Sequence, residues 1–214
     1  MYTVLIMSRK GGSGKSTTAM NMAARFAAEN YQVALMDFDP QHTLTKWHGR
    51  REDHLGDDNK VLLIETDETS FKRDCKELAD KKCDVMIIDT PPRLTDFHKN
   101  LLDESDFVLV PIKTTMEDLE TVADVVDLIE QEEKSYGFVI NETKNKTLLY
   151  LGIKDVLVEY GAVLGTITGT VNIPEASIEG LALCEYKADN VNCPQYDKVF
   201  KNLDRRLKNK KKAK

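Results

Sequence analysis

Residues 2–17, YTVLIMSRKGGSGKST, indicate the fold more clearly than any other part of the sequence. Their first part, YTVLIM, is a continuous apolar run of the kind that forms a strand buried on both faces. Gly11, Gly12 and Gly14 then let the backbone turn tightly, so that successive N–H groups can point at one anion. A helical pattern begins at about Ser16, and the positive end of the helix dipole adds to the same site. Strand, glycine loop and helix in this order predict a phosphate-binding loop.

Two side chains of this loop have the types that phosphate chemistry needs. Lys15 is placed to bridge the terminal phosphates of a nucleotide, and the Ser16 hydroxyl is placed to bind Mg²⁺. The pattern G-x-x-x-x-G-K-[ST] is met only in part, because Arg9 stands five positions before Gly14, where the pattern has glycine. The strand before the loop and the helix after it supply the context that the motif requires. We therefore interpret the stretch as a nucleotide site rather than a glycine-rich surface turn.

Carboxylates end two further apolar runs. Asp89 ends CDVMIID, at the strand end where open α/β sheets bind ligands, and a carboxylate there can hold Mg²⁺ through water. Asp37 and Asp39 end QVALMDFD, and strand alternation predicts that both lie on one face. Two carboxylates beside a triphosphate are unfavourable unless a metal ion or water chemistry uses them. For this pair a solvated turn remains the alternative.

Apolar runs alternate with helical patterns along the chain. The predicted strands are 2–7, 32–39, 61–66, 84–89, 106–112, 136–141 and 162–167. The predicted helices are 16–30, 70–81, 116–134 and 144–160. Continuous apolar strands with helices between them predict a three-layer α/β sandwich, with a mostly parallel central sheet and right-handed crossovers. Residues 42–60 are polar and poorly periodic, which predicts a surface segment.

The composition limits the class of protein. The 214 residues are 41% hydrophobic and 31% charged, as in ordinary globular domains. Neither an apolar run of membrane-spanning length nor a signal-peptide pattern occurs, so we expect a cytoplasmic protein. The cysteines form no C-x-x-C pair and are expected to be free thiols rather than ligands of a metal or an iron–sulfur cluster. They are Cys75, Cys83, Cys184 and Cys193.

The boxes resemble those of one family. KGGSGKST is similar to the deviant Walker A box, K-G-G-x-G-K-[ST], of the ParA/MinD group of P-loop ATPases. DFDPQ resembles the second acidic box of that group, and DTPP is typical of the residues after its Walker B strand. DPQHTLTKW and DFVLVPIKTTMEDLETVADVV are similar to the small plasmid-partition ParA proteins that lack an N-terminal helix-turn-helix. The resemblance runs from residue 2 to about residue 183.

The resemblance implies a P-loop ATPase domain over residues 1–196, with residues 197–214 as a basic C-terminal helix and tail of the same domain. It also implies ATP and Mg²⁺ as ligands and a weak ATPase that a partner protein stimulates. Two subunits of a homodimer would enclose the ATP, and Lys10 of each would reach the phosphates held by the other. A second cation there would stabilise the charge of the transferring phosphoryl group. A solvated loop lysine is the alternative for Lys10.

Carried over residue by residue, the resemblance implies roles for three sets of side chains. Asp39 would position the attacking water, and Asn141 would lie near the adenine. The catalytic set is Lys10, Lys15 and Asp39. The metal set is Ser16, Asp37 and Asp89. The nucleotide-binding set is Gly11, Gly12, Ser13, Gly14, Lys15, Ser16, Thr17 and Asn141.

Two classes of partner surface remain open for the dimer. In the ParA class the ATP dimer binds DNA without sequence preference, and a small centromere-binding protein of the ParB or ParG type triggers hydrolysis. Plasmid or chromosome partition is then the favoured function, with a non-DNA cargo as an alternative. In the MinD class a C-terminal amphipathic helix binds membrane. The quoted boxes favour the ParA class, localised to the cytoplasm and associated with the nucleoid in the ATP state.

The C-terminus is compatible with both classes. Residues 197–214 hold nine Lys/Arg and two Asp/Glu, a net +7 in a chain of net charge −6. An apolar stripe precedes and overlaps this charge, and it would suit a membrane surface or packing on the protein's own sheet. Packing is favoured, so a membrane partner is not expected. The stripe is Tyr196, Val199, Phe200, Leu203 and Leu207. The candidate DNA contacts, or else parts of a solvated tail, are Lys208, Lys210, Lys211 and Lys212. Because the chain begins at its first predicted strand, we expect no sequence-specific operator binding.

Overall fold

The computed structural model describes residues 1–143 and 147–212, with the side chains of residues 1–143 and 147–210. Seven strands form one sheet in the order β3-β2-β4-β1-β5-β6-β7, and every neighbouring pair is parallel. The predicted sheet and all seven predicted strands are therefore confirmed. The strands are β1 (Tyr2–Ile6), β2 (Val33–Asp37), β3 (Val61–Leu63), β4 (Val85–Asp89), β5 (Phe107–Lys113), β6 (Tyr136–Thr143) and β7 (Val163–Thr168).

Helices cover both faces of the sheet, which confirms the three-layer sandwich. One apolar core joins the sheet to α1, α2 and α10, and the other joins it to α3, α4, α6 and α7. The helices are α1 (Lys15–Ala28), α2 (Thr43–Leu55), α3 (Phe71–Asp80), α4 (Phe97–Asp103), α5 (Met116–Glu120), α6 (Val122–Gln131), α7 (Leu148–Tyr160), α8 (Asn172–Ile178), α9 (Leu183–Tyr186) and α10 (Cys193–Lys212).

Two predicted helices differ from the observed ones in their bounds. The helix predicted over 116–134 is two helices, α5 and α6, which meet at Thr121, whose hydroxyl donates to the Asp118 carbonyl (2.9 Å). The helix predicted over 144–160 is α7, which begins at Leu148. Residues 144–146 of that prediction lie outside the described residues.

Residues 42–60 are mostly exposed, as predicted for a surface segment, but they also contribute to the core. They form α2 and a short 3₁₀ turn, Gly56–Asp58. Trp47 is fully buried, and its indole N–H donates to the Leu181 carbonyl (3.2 Å). The buried positions of α2 recur at helical spacing, but two of the four are polar, so the apolar periodicity was invisible in the sequence. They are Leu44, Trp47, His48 and Arg51.

The C-terminal stripe packs on the protein's own core, as predicted. Its five side chains are at most 5% exposed. Phe200 meets Phe26 of α1 edge to face, with ring centroids 4.9 Å apart. A Cβ at Gly165 of β7 would lie 2.5 Å from the Val199 side chain, so the helix rests directly on the strand backbone. This face of α10 is therefore used inside the fold, and no described helix is long and apolar enough to cross a membrane.

The prediction of four free thiols was wrong for two of the cysteines. Cys184 in α9 and Cys193 at the start of α10 form a disulfide. The turn over residues 187–192 folds back and brings their Cα atoms to 5.6 Å, a distance that a disulfide spans without backbone movement. Cys75 and Cys83 are free and buried.

Candidate functional site

The glycine loop joins β1 to α1 and adopts a conformation that requires glycine. Gly12 has φ 77° and Gly14 has φ 94°, values that L side chains rarely adopt. A Cβ at Gly14 would also lie 2.6 Å from the Asn141 amide nitrogen. That amide donates to the Ser13 carbonyl (3.2 Å) and to the Thr18 hydroxyl (3.2 Å). Asn141, near the end of β6, therefore holds the loop in place through these two hydrogen bonds. The sequence did not indicate this role.

The register of the sheet brings the predicted acidic boxes to this loop. Asp89 at the end of β4 lies opposite Ile6 of β1 and opposite Asp37 of β2. The loops after β1, β2 and β4 therefore leave the same edge of the sheet side by side. This is the edge at which parallel α/β sheets bind ligands.

A cavity of about 890 Å³ opens beside the loop, and its size suits a nucleotide. Most of the predicted nucleotide-binding residues line it, whereas Ser13 is buried and its hydroxyl bonds to that of Ser8. Arg93, which follows DTPP, lines the mouth and was missed by the sequence analysis. Its position directly after that box was the available signal. The predicted residues on the cavity wall are Gly11, Gly12, Gly14, Lys15, Ser16, Thr17 and Asp39.

Lys15 is a buried cation beside this cavity. Its side chain turns onto the loop, where the ammonium donates to the Lys10 carbonyl (3.3 Å). Burial lowers the pKa of Lys15, although the charges of Asp89 and Asp39 oppose the shift. A buried ammonium with so little compensation favours an anionic ligand.

Asp89 is fully buried, and neither of its carboxylate oxygens has a hydrogen-bond partner within residues 1–143 and 147–212. Burial raises the pKa of Asp89 to about 7, and the nearby Ser16 hydroxyl partly opposes the shift. Two buried acceptor oxygens without donors suit a cation. Asp89 and the Ser16 hydroxyl are oxygen ligands of the kind that Mg²⁺ prefers, so they fit the predicted metal.

Asp37 and Asp39 have different surroundings, and the prediction that strand alternation places them on one face was wrong. Strand β2 ends at Asp37, so Asp39 belongs to the following loop. The Asp37 carboxylate accepts from the Asp39 N–H (3.0 Å) and from both the N–H and the hydroxyl of Thr45 (2.9 Å each). Asp39 lines the cavity and accepts from the Gln41 N–H (2.9 Å). Asp37 therefore anchors the start of α2 on the strand next to Asp89, while Asp39 faces the cavity.

A second cavity, of about 280 Å³, lies on the other side of Gly14 and Asn141. Its wall is mostly apolar and comes from the end of β7, the start of α8 and Tyr196 of α10. The sequence analysis did not predict this wall, although most of its residues fall within one segment, 167–174. They include Ile167, Gly169, Thr170, Val171, Ile173 and Pro174.

Lys10 does not join Lys15 in the first cavity but is bound to α5. Its ammonium donates to the Asp118 carboxylate (2.9 Å) and to the Thr115 hydroxyl (3.2 Å). The neighbouring Arg9 pairs with Asp124 of α6. The sequence analysis missed Asp118, although Thr115-x-x-Asp118 has the spacing of a helix-capping box, which marks the start of α5.

The candidate DNA contacts lie far from the nucleotide cavity. The Lys208 ammonium pairs with Asp204 (2.7 Å) and lies over the ring of Tyr31. Lys210 donates to the carbonyl of Asp106, which directly precedes β5 (2.8 Å), so this end of α10 lies at the opposite edge of the sheet. The side chains of Lys211 and Lys212 lie outside the described residues.

Comparison with known proteins gives the same architecture. Residues 4–183 match the family model of the CobQ/CobB/MinD/ParA nucleotide binding domain. The protein ParA of Rhizobium radiobacter is 29% identical over 169 residues, which cover 75% of this chain and 74% of that protein. The maintenance of carboxysome distribution protein A of Halothiobacillus neapolitanus is 27% identical over 168 residues, 75% of each chain. A putative plasmid partition protein of Borrelia burgdorferi, solved with bound AMPPNP, shares the fold with a TM-score of 0.76 at 22% identity, over 95% of this chain and 98% of that one.

Proposed function

The chain belongs to the CobQ/CobB/MinD/ParA family of nucleotide-binding domains, and we propose that it is a ParA-type partition ATPase. Members of the ParA/MinD group are P-loop ATPases that act in partitioning or positioning. In this proposal the protein binds ATP and Mg²⁺, dimerises around the nucleotide and binds DNA without sequence preference. A small centromere-binding protein stimulates hydrolysis, and the dimer moves a plasmid or chromosome over the nucleoid in the cytoplasm.

The proposal rests on the different positions of the two lysines of the glycine loop. Lys15 lines its own cavity, and Lys10 sits at the mouth of the loop with 36% of its side chain exposed. A lysine at the mouth can reach the phosphates of a facing subunit. It would then make dimerisation depend on the triphosphate, because its attraction is lost when the terminal phosphate leaves.

Each residue of the site has a role in the proposed hydrolysis. The loop N–H groups and Lys15 would hold the phosphates, and Ser16 and Asp89 would hold Mg²⁺, with Asp37 beside them. Bound Mg²⁺ would neutralise phosphate charge during the transfer. Asp39, which faces the cavity, would orient the attacking water. The mainly apolar second cavity suits the base, with Asn141 forming its boundary with the loop.

We favour DNA over a membrane as the partner surface, because the apolar stripe that would have bound a membrane is used inside the fold. The stripe on α10 that would enter a membrane is buried in the core. A specific observation keeps a non-DNA cargo as the second candidate. The relative from Halothiobacillus neapolitanus is named for carboxysome distribution and is almost as similar as the named ParA relative.

The first experiment measures co-sedimentation with random-sequence DNA and with anionic liposomes, side by side. Each is run with ATP, ADP or no nucleotide, at two salt concentrations, and with Lys15→Gln as the control. We expect DNA binding that requires ATP, weakens with salt and is absent in Lys15→Gln. Binding to liposomes alone would move the protein to the MinD class. Binding to neither, by a protein that hydrolyses ATP, would favour a protein cargo.

A second experiment tests the dimer. Asp39→Ala should bind ATP but fail to orient water, so it should accumulate as an ATP-bound dimer in size-exclusion chromatography. A variant that stays monomeric with ATP would contradict either the water-positioning role of Asp39 or the dimer itself.

A further inference from the structure

The wall of the second cavity is held at both ends by the turn over residues 187–192. The side chain of Asn192 donates to the Thr168 carbonyl (2.6 Å) and accepts from the Thr168 hydroxyl (2.8 Å). The side chain of Asn190 donates to the side-chain oxygen of Asn172 (2.8 Å). Thr168 and Asn172 flank residues 169–171, all of which line the cavity. The position of the turn therefore fixes the position of the cavity wall.

The disulfide closes this turn. Cys184 precedes the turn in α9, and Cys193 follows it at the start of α10. A bond that joins the ends of so short a segment removes most of its freedom to open. The two joined helices are also held without the bond, α9 by the Arg51–Glu185 pair (2.6 Å) and α10 by its buried stripe. Loss of the disulfide should therefore loosen the turn and leave both helices in place.

The disulfide is accessible to an external thiol. Cys184 is partly exposed, whereas Cys193 is only 8% exposed, so a reductant approaches from the side of Cys184. In the cytoplasm, where the proposed function places this chain, disulfides are usually transient or redox-sensing. Cys75 and Cys83 are buried free thiols, so they do not compete for the same reductant.

We propose that the Cys184–Cys193 disulfide is a reduction-sensitive brace of the nucleotide site, with a protein dithiol as its reductant. This rests on the proposed function, because it requires the second cavity to receive the base. A thiolate of the dithiol attacks the Cys184 sulfur, the S–S bond breaks, and the Cys193 sulfur leaves and takes up a proton. The second thiol of the reductant, as its thiolate, then displaces the Cys184 sulfur, which also takes up a proton. The dithiol is oxidised to a disulfide, and the two cysteines gain two electrons and two protons.

Reduction acts on nucleotide affinity through the order of the cavity wall. In the reduced protein the turn opens more readily, so Asn190 and Asn192 hold the wall for only part of the time. Only molecules with an ordered wall bind the base fully, so the apparent affinity falls with the ordered fraction. The phosphate loop lies on the other side of Gly14 and Asn141 and keeps its own contacts. The expected result is therefore weaker nucleotide binding by a protein that stays folded.

The test is a calorimetric titration with ADP and Mg²⁺, on wild type without reductant and after reduction with dithiothreitol. Thiol titration of the unfolded protein should find the thiols of Cys75 and Cys83 in the first sample and those of all four cysteines in the second. We expect reduction to weaken ADP binding about 3- to 10-fold. Cys184→Ser should bind ADP as weakly as reduced wild type, and dithiothreitol should not change its affinity. Cys75→Ala keeps the disulfide and is the matched control, so dithiothreitol should weaken its affinity as it does that of wild type.

A second measurement needs neither a variant nor a nucleotide. Hydrogen exchange, read by mass spectrometry, compares residues 167–174 with α1 in oxidised and reduced wild type. The brace predicts exchange at least about threefold faster in 167–174 after reduction, with α1 unchanged, because only the local opening becomes easier.

Equal ADP affinities of oxidised and reduced wild type would overturn the brace and leave the proposed function intact. Four free thiols in wild type isolated without reductant would also overturn it. So would an equal rise of exchange in 167–174 and in α1, since the loosening would then be global. An oxidised wild type that binds no ADP would overturn the proposed function, and the brace with it.

Discussion

Two of the regions that bury charged side chains satisfy them in opposite ways. In the layer that joins α2 to α9, the Arg51 guanidinium makes two hydrogen bonds to the Glu185 carboxylate (2.7 and 2.6 Å) and lies over the Trp47 ring. At the edge of the sheet, Asp89 is fully buried, and both its oxygens lack a partner among the described residues. The Arg51–Glu185 pair is a complete structural contact, whereas the Asp89 oxygens remain available as acceptors for a ligand.

Paired and unpaired buried charges have different consequences in this fold. Two buried charges that pair and form hydrogen bonds contribute to stability together, since removing one of them leaves the other uncompensated. An unpaired charge beside a cavity lowers the stability of the free protein and marks the place where binding takes effect. Substitutions in the two regions should therefore separate stability from activity.

The largest effect is expected for Lys15→Gln. The loss of the ammonium at the phosphates should reduce ATP turnover by about 10²–10³-fold, the range for removing one group that stabilises a developing charge. The melting temperature of the nucleotide-free protein should hardly change, because Lys15 has no carboxylate within hydrogen-bond distance among the described residues. Steady-state ATPase assays and thermal unfolding measure the two quantities, with Lys76→Gln on the surface of α3 as the control. A large fall in melting temperature with normal turnover would reverse the roles assigned to the two regions.

The next largest effect is expected for Arg51→Ala, on stability. It should lower the free energy of unfolding by about 2–3 kcal/mol, below the 3–5 kcal/mol of a fully buried pair because the Glu185 side chain is 33% exposed. Turnover per folded molecule should stay near that of wild type. Urea unfolding gives the free energy, and Arg73→Ala is the matched control. Arg73 also pairs with a carboxylate, on the buried Asp74, but Arg73 is 69% exposed, and Asp74 would keep its hydrogen bond from the Thr66 hydroxyl (2.7 Å). The loss of Arg73 should therefore cost less than about 1 kcal/mol. If Arg51→Ala and Arg73→Ala lowered the free energy of unfolding equally, burial of the arginine would not be what determines the size of the loss.

A smaller effect on stability than that of Arg51→Ala, and one with the opposite sign, is expected for Asp89→Asn. The amide removes a buried charge without changing the shape of the side chain. At pH 8 the free energy of unfolding of the nucleotide-free variant should therefore be about 1 kcal/mol higher than that of wild type. Affinity for Mg²⁺ with nucleotide should fall about 10- to 100-fold, the range found when groups that orient a metal are removed. Urea unfolding and calorimetry measure the two quantities, and Asp80→Asn, at the exposed end of α3, should change neither. A destabilised Asp89→Asn would mean that the carboxylate is satisfied in the folded protein.

The nucleotide site was largely predictable, because its signals are local in the chain. The loop, its flanking strand and helix, and the carboxylates at strand ends are each specified within a few neighbouring residues. The side chains that support the site were not predictable. The hydrogen bonds by which Asn141 holds the loop were not predicted, and Asp118 was not singled out, because it lies 108 residues from the lysine that it binds. The assignment of catalytic, metal and base contacts, and the boundary at residue 196, stay predictions.

Local sequence was sufficient to predict the parallel α/β architecture, the glycine loop and the order of the acidic boxes, because apolar runs and glycine spacing encode backbone geometry directly. Four features were established only by the folded chain: α2 is a packed helix, the stripe of α10 faces inward, Cys184 meets Cys193, and Lys10 rests on α5. The physical reason is common to all four. Each depends on which surfaces, distant from one another in the chain, come into contact. Where a side chain has two physically acceptable partners, its neighbours in the sequence do not determine which of them it contacts.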